Sequence, residues 1–184
     1  MQNHKKIEVV YNRASLLDIL DPKPRDYSIP CDIRPLTSAE TYSVASILNL
    51  KLPIKSILYF KLGSNFIGYI HKDVNINEPL FKQEYALNLP ITDCEEVYMK
   101  WYKPIDHSIK SESFLGPSKK GHVPLLDHSN ATCIDEVNCN QCNLVRVEDW
   151  HAVYNYSTNR FGYLISIRFH DSIKPDLPIN EWWR

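Results

Sequence analysis

From Arg160 to Phe169 the chain reads RFGYLISIRF, and its two sets of alternate residues have opposite chemistry. Phe161, Tyr163, Ile165, Ile167 and Phe169 make one set, all apolar, while Arg160, Gly162, Leu164, Ser166 and Arg168 make the other. Side chains on a β-strand alternate between two faces, so the first set must pack on a core. If the second face is also enclosed, its guanidinium groups need an anionic partner, because an unpaired buried charge is very costly. Together these demands point to a layered β-structure with a polar site inside it.

Other segments have the same texture. Ile54–Leu62, Phe66–His71, Tyr85–Ile91, Val97–Tyr102, Asn143–Val147 and His151–Tyr154 are short β-branched and aromatic runs, bounded by Gly, Pro, Asn or Asp. Many short strands at close spacing predict a sandwich or a barrel. Asn155-Tyr-Ser-Thr-Asn159 is turn chemistry between two apolar runs, which predicts a hairpin that sets His151 near Arg160. Two helices are expected earlier, Asn12–Leu20, stopped by Asp21-Pro22-Lys23-Pro24, and Ser38–Leu50, with Ser38 as the cap. The expected layout is an N-terminal flank over 1–52, a β core over 53–170 and a tail over 171–184 docked by Trp182 and Trp183. A polar insertion over 103–140 interrupts the core and holds one strand near His122–Leu126. A chain of 184 residues suits a single domain.

Composition removes several functions. The net charge of −1 leaves no cationic surplus for phosphate neutralisation, so nucleic acid is not expected as a partner. No apolar run is long enough to cross a membrane, and MQNHKKIEVVYNR lacks a signal-peptide core. Five cysteines then fit free thiols in a reducing compartment, with a cytoplasmic location expected. Cys139-Asn-Gln-Cys142, with Cys133 and His128 nearby, has no second C-x-x-C to complete a zinc site. His107, His122 and His128 read as surface or entrance residues of the insertion. Asp93, Glu95 and Glu96 read as a solvated turn, and Ser118–Gly121 as a loop tip. No nucleophile elbow, phosphate-cradling loop or dinucleotide fingerprint is present.

His71-Lys72-Asp73 supplies the anionic half. Residues i and i+2 of an extended chain project to one side, so an imidazole and a carboxylate can converge on one ion. With the distant His151 the set becomes two His and one carboxylate, which leaves half an octahedron open on a ferrous ion. Taken singly, each residue has a plainer reading: a chance triplet, a histidine held by a backbone carbonyl, a solvated arginine. The series as a whole carries the inference.

In that series the sequence resembles the 2-oxoglutarate- and Fe(II)-dependent oxygenases: His71-x-Asp73, then His151, then Arg160 nine residues later. "GYIHKD", "YALNLPI", "WHAVYN" and "RFGYLISIRF" are similar to a compact branch that includes aspartyl/asparaginyl β-hydroxylase-like proteins and small oxygenase-like proteins of phages and marine microbes. The likeness spans roughly residues 54–170. It implies a mainly β fold, the double-stranded β-helix (a cupin-like jelly roll), with His71, Asp73 and His151 as iron ligands. It implies 2-oxoglutarate as cosubstrate, with Arg160 holding the distal carboxylate bidentately. Arg168 shares that face and is the alternative clamp; the spacing from His151 favours Arg160. Strand parity adds Ser166 and Asn88 as cosubstrate contacts and Gly162 as a gap that leaves it room.

The function expected from this resemblance is a dioxygenase, in particular a hydroxylase, and the polar insertion points to a polar small molecule or peptide as its substrate. Two other classes stand beside it: a cupin-type metal enzyme that uses no 2-oxoglutarate, and a non-catalytic jelly-roll binding module. An inward arginine separates the first from the second, and an intact triad separates both from the third.

Overall fold

A computed structural model describes residues 3–20, 31–73, 85–92, 94–106, 113–115 and 122–170. The expected tail 171–184, the helix stop at 21–24, Asp93, His107 and the loop tip Ser118–Gly121 lie outside the described residues. In chain order the elements are β1 (His4–Lys6), α1 (Arg13–Leu20), β2 (Cys31–Pro35), α2 (Ser38–Leu48), β3 (Ile54–Leu62), β4 (Phe66–Ile67) and β5 (Ile70–His71). They continue with β6 (Tyr85–Pro90), β7 (Val97–Pro104), β8 (Ser113–Leu115), β9 (His122–Leu126), β10 (Ala131–Asn138), β11 (Asn143–Arg146), β12 (His151–Asn155) and β13 (Gly162–Phe169).

The protein is mainly β, with two antiparallel sheets. The first runs β1-β11-β6-β13-β3-β2; the second runs β10-β7-β12-β5-β9-β8, with β4 also paired to β12. Between the sheets lies a core of Leu62, Ala86, Val145 and Leu164 from the first and Val97, Met99, Trp101 and Val153 from the second. The outer face of the first sheet is covered as well. There Tyr163, Ile165, Ile167 and Phe169 of β13 pack with Leu16 and Leu20 of α1 and Val44 and Leu48 of α2. Every residue of β13 is therefore buried, as its all-apolar face requires.

Local chemistry sets the helix ends. Asn12 Oδ1 accepts from the Ser15 amide at 3.1 Å and opens α1. α2 is capped by Thr37, one residue before the expected Ser38, because Glu40 then falls at the third helical position and closes a capping box. Asn49 ends α2 in the left-handed region at φ 53°.

Several expectations are corrected. The flank 1–52 is not only helical, since β1 and β2 form both edges of the first sheet. The insertion 103–140 is more regular than its polarity suggests. β9 is the expected strand, but β10 pairs with β7 along its length, with one register irregularity between Cys133 and Asp135. β10 is an edge strand with much of its surface in solvent, so apolar alternation never marks it. The segment Phe66–His71 is broken at Gly68, where a Cβ would stand 2.5 Å from the Val153 carbonyl oxygen, and only glycine permits that approach.

The largest correction concerns the expected hairpin. β12 and β13 belong to different sheets. Asn155–Asn159 is a corner that carries the chain from one sheet to the other. Asn155 Nδ2 reaches the carbonyls of Leu62, Gly63 and Arg160 at 3.1, 3.0 and 2.9 Å, and its Oδ1 accepts from the Ser157 amide at 3.0 Å. The same Asn and Ser residues that favour a hairpin turn here stitch two layers together.

Candidate metal centre

His71 ends β5 and His151 begins β12, and the two strands place them directly opposite each other. Their ring centroids are 4.4 Å apart. Asp73, two residues on, is fixed from the backbone: its amide donates to the Val147 carbonyl at 2.8 Å. The intervening Lys72 points the other way, its ammonium over the Trp150 ring at 5.2 Å. Parity thus turns the imidazole and the carboxylate inward together.

The three ligand atoms lie within 4.8 Å of one another. His71 Nε2 is 3.3 Å and His151 Nε2 3.9 Å from Asp73 Oδ1. Each ring's other nitrogen is spoken for: His71 Nδ1–H donates to the Tyr69 carbonyl at 2.9 Å, and His151 Nδ1–H to the Asp149 carbonyl at 2.8 Å. A carbonyl can only accept, so each ring uses Nδ1–H for the backbone and turns Nε2 inward, the usual arrangement of metal-binding histidines. Two imidazoles and one carboxylate suit a divalent first-row metal, so the donor set fits iron. Among the described residues no other group of three such ligands converges.

Electrostatics agree with that use. Burial, with the neighbouring His71, pushes His151 down to about 3, so its ring stays neutral and able to donate a lone pair. Burial also opposes charge on Asp73, but Arg168 and the two imidazoles outweigh it and hold the carboxyl well below the usual range. Burial lowers His71, yet its bond to Asp73 leaves it above its ordinary value, a proton that a bound cation would displace.

The set lines a cavity of about 300 Å³ between the sheets. Asn88, Ser166 and Arg168 line it too. Arg168 Nη2 donates to Asp73 Oδ2, and Nη1 donates to Ser166 Oγ. Ser166 in turn donates to Asn88 Oδ1, its directly opposed residue on β6. So Asp73 turns Oδ1 to the histidines and Oδ2 to the arginine. Of the predicted site residues, His71, Asp73, His151, Arg168, Ser166 and Asn88 share this cavity.

Arg160 does not. It is exposed and lines a separate shallow cleft with Glu95, Glu96, Ser157 and Gly162. The parity that joins Arg160 to Arg168 holds only along the strand, and Arg160 precedes it in the corner. Gly162 leaves no room for a cosubstrate either, since a Cβ there would stand 2.5 Å from Val97 Cγ2. The zinc alternative has no geometry among the described residues. Cys139 and Cys142 are buried in separate cores, burial pushes Cys142 up to about 12, and the His128 ring is engaged elsewhere, its Nε2–H donating to the Gly68 carbonyl and its Nδ1 facing the Tyr154 hydroxyl.

Residues missed by the sequence reading are the apolar walls, including Ile33 of β2, Phe66, Met99 and Val153. Only sheet pairing could have gathered them. The chain matches no protein-family model, and no curated protein shows significant similarity to it. No described helix is long and apolar enough to cross a membrane.

Proposed function

We propose that the chain is an Fe(II)- and 2-oxoglutarate-dependent dioxygenase on a double-stranded β-helix, acting as a hydroxylase. The carrying observation is the convergence of His71 Nε2, Asp73 Oδ1 and His151 Nε2 in a cavity that also holds Arg168. Strand order supports the jelly roll. If β3, β5, β6, β7, β10, β11, β12 and β13 are counted one to eight, the sheets read 1-8-3-6 and 5-4-7-2. That order is two nested Greek keys.

His71, Asp73 and His151 would hold the metal, which when bound supplies a site where dioxygen and a keto acid meet. Charge supports a dianionic cosubstrate. Asp73 and Arg168 cancel and the metal-bound imidazoles are neutral, so a divalent cation leaves two positive charges in a low-dielectric cavity. A dicarboxylate neutralises them. Arg168, in place of Arg160, is the clamp: among the described residues Asp73 and Ser166 engage two of its five N–H donors, which leaves others for a carboxylate. A cupin-type metal enzyme without 2-oxoglutarate would not call for that inward guanidinium.

Anaerobic addition of Fe(II) and then 2-oxoglutarate is expected to give a weak visible charge-transfer band that His71→Ala abolishes. Arg168→Gln should weaken cosubstrate binding roughly 30-fold or more while sparing iron far better, and Arg160→Ala should change neither. Under oxygen the parent should form succinate in proportion to added iron. Iron binding without any effect of 2-oxoglutarate would favour the cupin-type reading. No iron binding at all would favour the binding module.

A further inference from the structure

The cavity is polar at one end only. Along β13 its lining residues are Arg168, Ser166 and Leu164, and strands rise ~3.4 Å per residue, so Leu164 lies ~14 Å along the strand from Arg168. β12 runs the same course, from His151 to Val153. Opposite Leu164 stands Phe60, and opposite Val153 stands Met99. Apart from the triad, Arg168 is the only charged lining side chain among the described residues, and it is engaged with Asp73. Of the neutral polar lining residues, Ser166 and Asn88 are bonded to each other and Tyr69 is largely exposed. Apart from Tyr69, the partly buried lining residues away from the triad are apolar, namely Ile33, Leu58, Phe60, Phe66 and Val153, whereas Leu62, Met99 and Leu164 are buried.

We infer that the group received in this cavity beyond the triad is an uncharged hydrocarbon moiety, an aliphatic chain or an aromatic ring, in place of the polar substrate that the insertion suggests. Among the described residues, a charged or amide group seated against Leu164, Met99 and Leu62 would lose its water and meet no polar side chain on those walls. A volume of about 300 Å³ is at the small end for ligand pockets and must also admit the cosubstrate, so a slender chain or single ring fits. Calling that moiety the substrate rests on the oxygenase reading. On it, RH, dioxygen and 2-oxoglutarate give ROH, succinate and carbon dioxide: one oxygen atom enters the C–H bond, and the other ends in the succinate carboxylate.

The test uses the metal-free full chain and needs no turnover. Calorimetric titration with butanol, hexanol and octanol should show affinity rising about fourfold per methylene until the cavity fills. Glycerol and free lysine should not bind. Leu164→Phe should shorten the best chain, and Phe60→Ala, at the partly exposed mouth, should lengthen it; the second substitution guards against a misfolded first. Affinity flat along the series, or polar probes binding more tightly, overturns the inference. If alkanols bind by length but iron and 2-oxoglutarate give no band, the oxygenase reading falls and the apolar assignment stands. If the band forms and no alkanol binds, the apolar assignment falls alone.

Discussion

Replacing Asp73 by Asn keeps the side chain's size, removes its charge and strands the Arg168 guanidinium. Arg168 is 8% exposed, and no other carboxylate lines its cavity among the described residues. Removing one partner of a buried ion pair costs ~3–5 kcal/mol, mostly the penalty of the charge left behind. The Asp73 side chain keeps 20% of its surface in solvent, so the lower end, ~3 kcal/mol, is expected. For a chain of this length ~1 kcal/mol moves Tm by ~2–4 °C, which gives a fall of roughly 6–12 °C in the metal-free protein. Arg168→Met in the same background removes the stranded charge and leaves an apolar stem. The double variant should regain ~2 kcal/mol, a coupling readable from denaturant titrations of all four proteins. Two results would refute this reasoning: Asp73→Asn within ~0.5 kcal/mol of the parent, or strictly additive effects. Either would mean that the pair is effectively solvated and that the cavity is not the low-dielectric site argued above.

Asn155→Ala should destabilise by ~3 kcal/mol, because three carbonyls and one amide at the sheet-to-sheet corner lose their partner; a change under ~1 kcal/mol in a urea titration would show that something else holds the corner. Glu40 links the start of α2 to Arg34 of β2, and its bond to Arg34, against the opposing effect of burial, lowers it to about 2. A depressed carboxyl stabilises the fold above its unfolded value of 4.5, and that contribution is lost as pH falls toward about 2. Allowing for solvent screening it is ~1 kcal/mol, so parent and Glu40→Gln should differ at pH ~6 and converge at pH ~2; a difference unchanged by acid contradicts this.

Some of the site was legible because it depends only on local rules. His71 and Asp73 share a side by the period of an extended chain, and the apolar set of β13 had to meet a core whichever elements supplied it. The helix over Ser38–Leu48 and the strands over Ile54–Leu62 and Gly162–Phe169 follow from the same short-range chemistry, though the cap falls on Thr37 and not on Ser38. Arg160 failed for a related reason. Its parity with Arg168 was counted through the corner, where the backbone stops alternating, and its expected nearness to His151 assumed a hairpin. Asn155 and Ser157 are good residues for either connection, and nothing in their order says which sheet receives the next strand. β10 was hidden because an edge strand with solvent on it has no need of apolar alternation.

By itself, then, the chain determined which side chains face together along each strand, since that is a property of backbone geometry over two or three residues. It also determined that an inward arginine must meet an acid, since burial makes an unpaired charge intolerable. Which arginine meets that acid, and what walls enclose the pair, were decided only when β12 joined one sheet and β13 the other. That pairing sets residues 73 and 168 side by side across a distance in sequence that no local pattern can span, and it encloses them with apolar residues drawn from both layers.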